Sequence, residues 1–276
     1  MFTAALIWGS SFALMKNTVE VFPPNLLLAL RFAIACLTLA AVFNGRLRGL
    51  NWDYGKKTAI MSVFLYLAFL LQTLGVQKTT PGKNAFLTAI YCVIVPFLYW
   101  AFGKRSPTWR NLLAAAACVV GIGLVSLTQR LTIAPGDFYT LLGGFFFAAH
   151  LVAISIFSDG KDPALLTVAQ FGYCAIFFGV TAWLTGEALP VGTSVSTWAA
   201  LLYMALFCTA LGLLLQIYGQ KYTAPSTASL ILSLEAVFGV IFSVFLYGEA
   251  LTIRLILGFV LIFAAVLISE LNPRKA

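Results

Sequence analysis

Three ionisable residues stand inside stretches that are otherwise apolar, and each has chemistry to offer. Glu235 lies in SLEAVFGVIFSVFLYGE (Ser233 to Glu249), His150 in the middle of another apolar run, and Arg31 at the head of RFAIA (Arg31 to Ala35). A charge held at the centre of a bilayer costs about 2.5–3.5 kcal/mol on insertion scales, so each of these groups needs a partner or a task. Glu235 is either a protonatable or cation-binding carboxylate, or an acid that pins helices together. On a helix its face is shared by Ala228, Gly239 and Ser243, small or polar residues that suit protein or a cavity better than lipid. His150, the only histidine, is either a proton relay or a ring hydrogen-bonded to a neighbouring helix. Glu235 and His150 are therefore the candidates for proton coupling. Arg31 has four roles open to it: pairing with Glu235, holding an anionic ligand group, bonding backbone carbonyls, or snorkelling outward.

Neutral polar residues fall in stripes. Asn84, Thr88 and Tyr91 are spaced by four and three, which puts them on one helix face. Thr167, Gln170 and Tyr173 form a second such face, and Trp8, Ser10 and Ser11 add an aromatic ring and two hydroxyls near the start of the chain. Such groups orient a small apolar or zwitterionic molecule in a pocket, or serve as polar glue between helices. The candidate binding set is Trp8, Ser11, Asn84, Thr88, Tyr91, His150, Gln170, Tyr173 and Glu235. Gln72 and Gln216 sit near the ends of their apolar runs, where a structural role is expected. No catalytic residue is assigned. Ser10 or Ser11 with His150 is the only nucleophile–base combination at hand, and no GxSxG or HExxH motif accompanies it. No GxxxxGK[ST] loop is present, so this chain supplies no ATP-driven step. Cys36, Cys92, Cys118, Cys174 and Cys208 all lie in apolar runs without CxxC spacing, and read as small buried hydrophobes. No metal or other cofactor is expected.

The elements that must position these residues follow from composition. Of 276 residues, 61% are apolar and 9% charged, against about a quarter charged in a soluble domain. The solvent of such a chain is lipid, and its spans must be helices that satisfy their own backbone. Proline, glycine and charge divide it into ten apolar runs, at 2–20, 25–43, 57–77, 82–102, 107–127, 138–157, 163–184, 197–219, 225–246 and 251–270. Pro24, Pro81, Pro107, Pro163 and Pro225 stand at or just before span starts, where a first helical turn tolerates them. The net charge of +8 is spread over short connectors rather than one face, which argues against a nucleic-acid partner. Eleven of the seventeen Lys and Arg fall in even-numbered connectors and the C-terminus, five in odd-numbered ones. That bias places both termini in the cytoplasm. No cleavable signal peptide is expected.

The chain also repeats. Moved by 144 positions, LLQTLGVQKTTP (Leu70 to Pro81) falls on LLQIYGQKYTAP (Leu214 to Pro225), with Gln, Gly, Thr and Pro matched in order. In this register Tyr91 meets Glu235, and Asn84 and Thr88 meet Ala228 and Leu232. At an offset of 139, Pro24, Leu26 and Phe32 meet Pro163, Leu165 and Phe171. Two units, 1–130 and 131–276, each hold five spans, and an odd number forces them through the membrane in opposite directions. An inverted repeat with a site near the midplane is a layout shared by many secondary transporters. A non-transporting receptor or scaffold has no need of it, and an intramembrane enzyme lacks its motifs.

The motifs WGSSF (Trp8 to Phe12), RFAIA, TTPGKNAFLTAIYCVIVPFL (Thr79 to Leu98) and SLEAVFGVIFSVFLYGE, with Gly258, resemble the EamA-type members of the drug/metabolite transporter superfamily over essentially the whole chain. The resemblance implies an all-helical integral membrane protein of two EamA-like five-helix repeats in a bacterial inner membrane. It implies export of small metabolites such as amino acids or drugs, with the substrate and the lipid bilayer as partners; proton coupling and a homodimer are both compatible with it. Two positions depart from the family pattern: Ala236 follows Glu235 where a proline is common, and Lys104 stands where the Gly-Glu pair of the second half places Glu249.

Overall fold

A computed structural model describes residues 1–102, 106–126 and 133–270. Helices α1 (Phe2–Val19), α2 (Pro24–Val42) and α3 (Trp52–Lys78) are followed by a broken pair, α4 (Pro81–Thr88) and α5 (Tyr91–Ala101), then α6 (Trp109–Ser126). The remainder holds α7 (Pro135–Phe157), α8 (Pro163–Leu184), α9 (Val195–Tyr203), α10 (Gly212–Gln220), α11 (Pro225–Phe242) and α12 (Ile253–Glu270). Among the described residues, seven stretches are long and apolar enough to cross a membrane: 24–42, 52–78, 81–101, 135–157, 163–184, 195–220 and 225–247. The helices at 109–125 and 253–268 are apolar but shorter, and α1 carries Lys16 and Asn17 in its last turns.

Local chemistry explains where the expected runs shift. Helix α3 begins five residues before its apolar run because Asn51 caps it, its Oδ1 accepting from Asp53 N at 3.1 Å and Tyr54 N at 3.2 Å. The fourth run is not one helix. Cys92 N bonds to Ala89 O and Val93 N to Ile90 O, a tighter i→i+3 pattern that separates α4 from α5. Pro96 lies inside α5 rather than at this break. Two stretches wind more loosely as π-helix, Met204–Leu211 between α9 and α10 and Ser243–Tyr247 after α11.

Packing rests on small residues, as it must where lipid gives helices little hydrophobic reason to associate. A methyl group on Gly9 would lie 2.3 Å from Phe238 Cβ, and one on Gly239 would lie 2.4 Å from Ala85 Cβ, so α1, α4 and α11 meet nearly backbone to backbone. Gly121, Gly143 and Gly144 sit directly against α12, α3 and α4. The aromatic centre is Phe32, whose ring lies 5.2 Å from Phe69, 5.6 Å from Phe171 and 5.6 Å from Phe178. Phe32 and Phe171 are repeat-related, and they meet where α2 crosses α8.

The helix partners follow the same correspondence. Helix α1 packs on α11 while α7 packs on α4 and α5; α2 packs on α8 and α6 on α12. Lys16, near the end of α1, and Asp137, in the first turn of α7, lie on one face of the bundle with Lys83. The repeat-related helices α1 and α7 therefore point in opposite directions. This face is called the Lys83 face below. The opposite one, the Lys161 face, carries the Arg46–Asp162 pair at 3.3 Å and the contacts of Asp53 with Lys57 (3.0 Å) and Lys161. Bonding to Asp53 holds the Lys161 ammonium above its ordinary pKa. Trp52 and Trp109 are exposed, 75% and 68%, as expected of interfacial anchors.

Candidate functional site

A cavity of about 50 Å³, room for a few waters, lies where the two halves meet. Its walls come from α1, α2, α3, α4, α5, α7, α10 and α11. Five repeat-related pairs line it: Trp8 with Phe147, Phe12 with Leu151, Phe69 with Leu213, Gln72 with Gln216, and Tyr91 with Glu235. A cavity on the repeat axis takes equivalent residues from both halves, so this is the place a midplane site belongs.

Of the residues expected from sequence, Trp8, Ser11, Asn84, Tyr91 and Glu235 come together here, and Arg31 joins them. Trp8 is held by its indole N–H, which donates to Cys208 O at 2.7 Å. That carbonyl belongs to the π stretch, and the ring rests on Gly212, where an added methyl would approach Nε1 to 2.4 Å. Ser11 returns its hydroxyl to Trp8 O at 2.7 Å. Asn84 donates to Thr140 Oγ1 at 2.7 Å and to Gln72 O at 3.2 Å, while its Oδ1 is buried without a partner among the described residues. Tyr91 Oη faces the Glu235 carboxylate but closes no hydrogen bond of ordinary length.

The two ionisable groups of the cavity are not paired with each other. Arg31 is 2% exposed, so its side chain stays inside the bundle instead of snorkelling. It donates from Nε (3.3 Å) and Nη2 (3.0 Å) to Thr209 Oγ1, and its guanidinium lies 5.4 Å from the centre of the Phe69 ring. Nη1 reaches only the sulfur of Met15, at 4.0 Å. Of the roles open to Arg31, neither the ion pair with Glu235 nor bonding to backbone carbonyls is present among the described residues. A guanidinium with five donors, two of them spent on one hydroxyl, and a carboxylate with no ion pair among the described residues thus open onto the same space.

The remaining candidates lie elsewhere. Thr88 accepts from Gln72 Nε2 at 3.2 Å behind the cavity wall. His150 and Gln170 are sealed together, Nε2 to Oε1 at 2.8 Å, each 1% exposed. Thr167 bonds back to Pro163 O at 2.7 Å. Tyr173 lines an open groove with Leu50, Asn51, Trp52 and Gly55 on the outside of the bundle. Gln72 and Gln216, given a structural role above, are lining residues. Each faces the cavity from near the end of its helix, α3 ending at Lys78 and α10 at Gln220. Their identity across the repeat was the signal that could have placed them. Phe69, Phe147 and Leu213 carried the same signal, hidden among many apolar matches.

Towards the Lys83 face the cavity stops at a polar clasp. Lys16 Nζ donates to Val76 O (3.0 Å) and Gln77 O (2.8 Å). Lys83 pairs with the fully buried Asp137 at 2.6 Å, and Thr79 Oγ1 donates to the same carboxylate at 2.6 Å. Glu249 reaches across from the second half to the start of α4, accepting from Gly82 N at 2.8 Å and from the hydroxyls of Thr80 and Ser243.

Comparison with known proteins agrees with this architecture. The model of the EamA-like transporter family matches residues 1–127 and again 134–271. An uncharacterized transporter of Archaeoglobus fulgidus is 33% identical over 270 residues, 97% of this chain and 83% of the relative. The uncharacterized transporter YyaM of Bacillus subtilis is 24% identical over 95% of this chain and 90% of its own length. A protein of known crystal structure superposes with a TM-score of 0.73 at 18% identity, over 98% of this chain and 94% of that one, and so shares the fold. The chain belongs to the EamA-like transporter family, and it is a multi-pass membrane transporter rather than an enzyme.

Proposed function

We propose that the protein is a secondary transporter of the cytoplasmic membrane that exports small zwitterionic metabolites of the amino-acid kind by alternating access. Ten spans in two inverted halves, 1–130 and 131–276, with both termini and the Lys161 face in the cytoplasm, are the topology in which it works. The observation that carries the reading is the cavity between the repeats, where the Arg31 guanidinium and the Glu235 carboxyl group face the same space and neither has an ion-pair partner among the described residues. Arg31 holds the carboxylate of the solute and Glu235 its ammonium. Trp8, Phe69 and Phe147 supply apolar and aromatic surface for the rest, and Asn84 Oδ1 and Tyr91 Oη offer hydrogen-bonding positions. Glu235 is also the group through which a proton couples to transport, because a carboxylate that binds a proton and an ammonium by turns makes the two exclusive.

The test is counterflow in proteoliposomes preloaded with an unlabelled amino-acid mixture, with Glu235→Gln beside the wild type. Accumulation of label above empty liposomes, lost in a folded Glu235→Gln variant, is the expected result. No accumulation with any zwitterion sinks the substrate class, and no accumulation with nucleobases, sugars or hydrophobic cations either would favour a non-transporting receptor. Proton coupling is tested separately in the wild type: an imposed pH gradient should drive uptake and a proton ionophore should abolish that drive, and uptake indifferent to the gradient sinks the coupling.

A further inference from the structure

The cavity is symmetric at its centre and lopsided at its ends. Beyond the five shared pairs it is lined by Ser11, Met15, Arg31, Val76 and Asn84, which form a wing reaching towards the Lys83 face. Their repeat-related counterparts, at offsets of 139 and 144, are His150, Ile154, Gln170, Gln220 and Ala228. None of these five lines the cavity, and all are buried: 1%, 0%, 1%, 5% and 0% exposed. One position runs the other way, Leu232 lining the cavity where Thr88 does not.

The missing wing is closed by its own polar groups. His150 Nε2 bonds Gln170 Oε1 at 2.8 Å, and Gln220 Nε2 donates to Leu151 O at 3.2 Å, tying α10 to α7. The position of His150 in the first half is Ser11 and that of Gln170 is Arg31. In an inverted repeat the two halves exchange conformations when access changes sides. The exchange closes the wing of Ser11 and Arg31 and opens the wing of His150 and Gln170.

We propose that His150 and Gln170 form a second polar subsite, shut in this structure, that receives the solute's hydrogen-bond-accepting group when the cavity opens to the Lys161 face. The inference rests on the alternating-access reading above. It gives the buried His–Gln pair a task, and it makes the two sides chemically unequal. One wing offers a guanidinium, the other an imidazole and an amide, so an anionic group is held more weakly on the Lys161 side.

The lone histidine makes the test specific. Diethyl pyrocarbonate modification of His150 is followed by mass spectrometry of the peptide that carries it, on full-length protein purified without a histidine tag. Wild type is compared with Gln220→Ala, which removes the bond that closes the His150 wing, and with Asp137→Asn, which weakens the clasp at the Lys83 face. Gln220→Ala removes the bond to Leu151 O and also the one that Gln216 Nε2 donates to Gln220 Oε1 within α10; loss of the neutral bond between α10 and α7 shifts a two-state balance by about two- to tenfold, so His150 modification should rise by about that factor in Gln220→Ala and fall in Asp137→Asn. Equal modification in all three overturns the proposal. So does a rise in both variants, which is the mark of loosened packing and is checked against their melting temperatures. Counterflow on the same preparations judges the transporter reading independently: transport with unmoving His150 reactivity removes the second subsite alone.

Discussion

Replacing Arg31 by methionine keeps most of the side chain's length and apolar stem but removes its charge. In the structure the guanidinium gives two bonds to Thr209 and leaves Nη1 with no oxygen partner among the described residues. If that free edge binds the solute carboxylate, the lost interaction is a charge-assisted hydrogen bond, about 1.5–3 kcal/mol. At about 1.4 kcal/mol per factor of ten, the half-saturating concentration should rise roughly 10- to 150-fold. The informative assay is competition against labelled substrate in proteoliposomes, using a zwitterion and the amine that results from its decarboxylation. Wild type should prefer the zwitterion; Arg31→Met should lose affinity for it while binding the amine nearly unchanged. Equal loss for both ligands would show that Arg31 only shapes the cavity through Thr209 and Phe69. No loss for either would remove Arg31 from recognition and refute the charge argument.

Other consequences are open to measurement. Gly9→Val places a branched side chain where even a methyl would lie 2.3 Å from Phe238 Cβ. Overpacking of this kind costs about 1–3 kcal/mol, so its melting temperature in detergent should fall, whereas Gly179→Ala, with nothing within 4 Å of the new methyl, should melt at or above wild type. Asp53→Asn breaks two ion-pair contacts on an exposed surface, where such pairs contribute little; an unchanged melting temperature and unchanged counterflow are expected. Trp8→Phe removes the donor to Cys208 O but keeps an aromatic wall. Faster amide exchange in 204–212 than in wild type, read by hydrogen–deuterium mass spectrometry, is the expected sign that this bond steadies the π stretch.

Much of the fold was written in hydropathy. Helices α2, α7 and α8 start and end within a few residues of their apolar runs because proline opens each and polar connectors close them. The early start of α3 was less visible, since Asn51 and Asp53 are polar and only the cap geometry recruits them. The break between α4 and α5 and the π stretch at Met204–Leu211 left no mark in hydropathy. Both are changes of hydrogen-bond register, and in the π stretch Cys208 O and Thr209 are engaged by Trp8 and Arg31 from other helices. For the site, depth and charge were enough to single out Glu235, and the repeat was enough to join it to Tyr91. What sequence could not convey is which wing of a symmetric cavity is open. Ser11 and His150, or Arg31 and Gln170, are equivalent in the pattern and become unequal only in one conformation.

The cap on α4 bears on how such a chain could have arisen from a shorter one. Gly82 N–H, at the start of α4, is satisfied by Glu249, a residue of the other half. In the sequence of the first half the corresponding position is held by Lys104, which lies outside the described residues. A cation opposes the dipole at a helix start, where an anion is favoured by about 0.3–1 kcal/mol. In the charge at this position the two halves are not interchangeable. Expressed as separate polypeptides, they should prefer each other to themselves by about two- to fivefold on this contact, and joining them in one gene keeps their numbers equal.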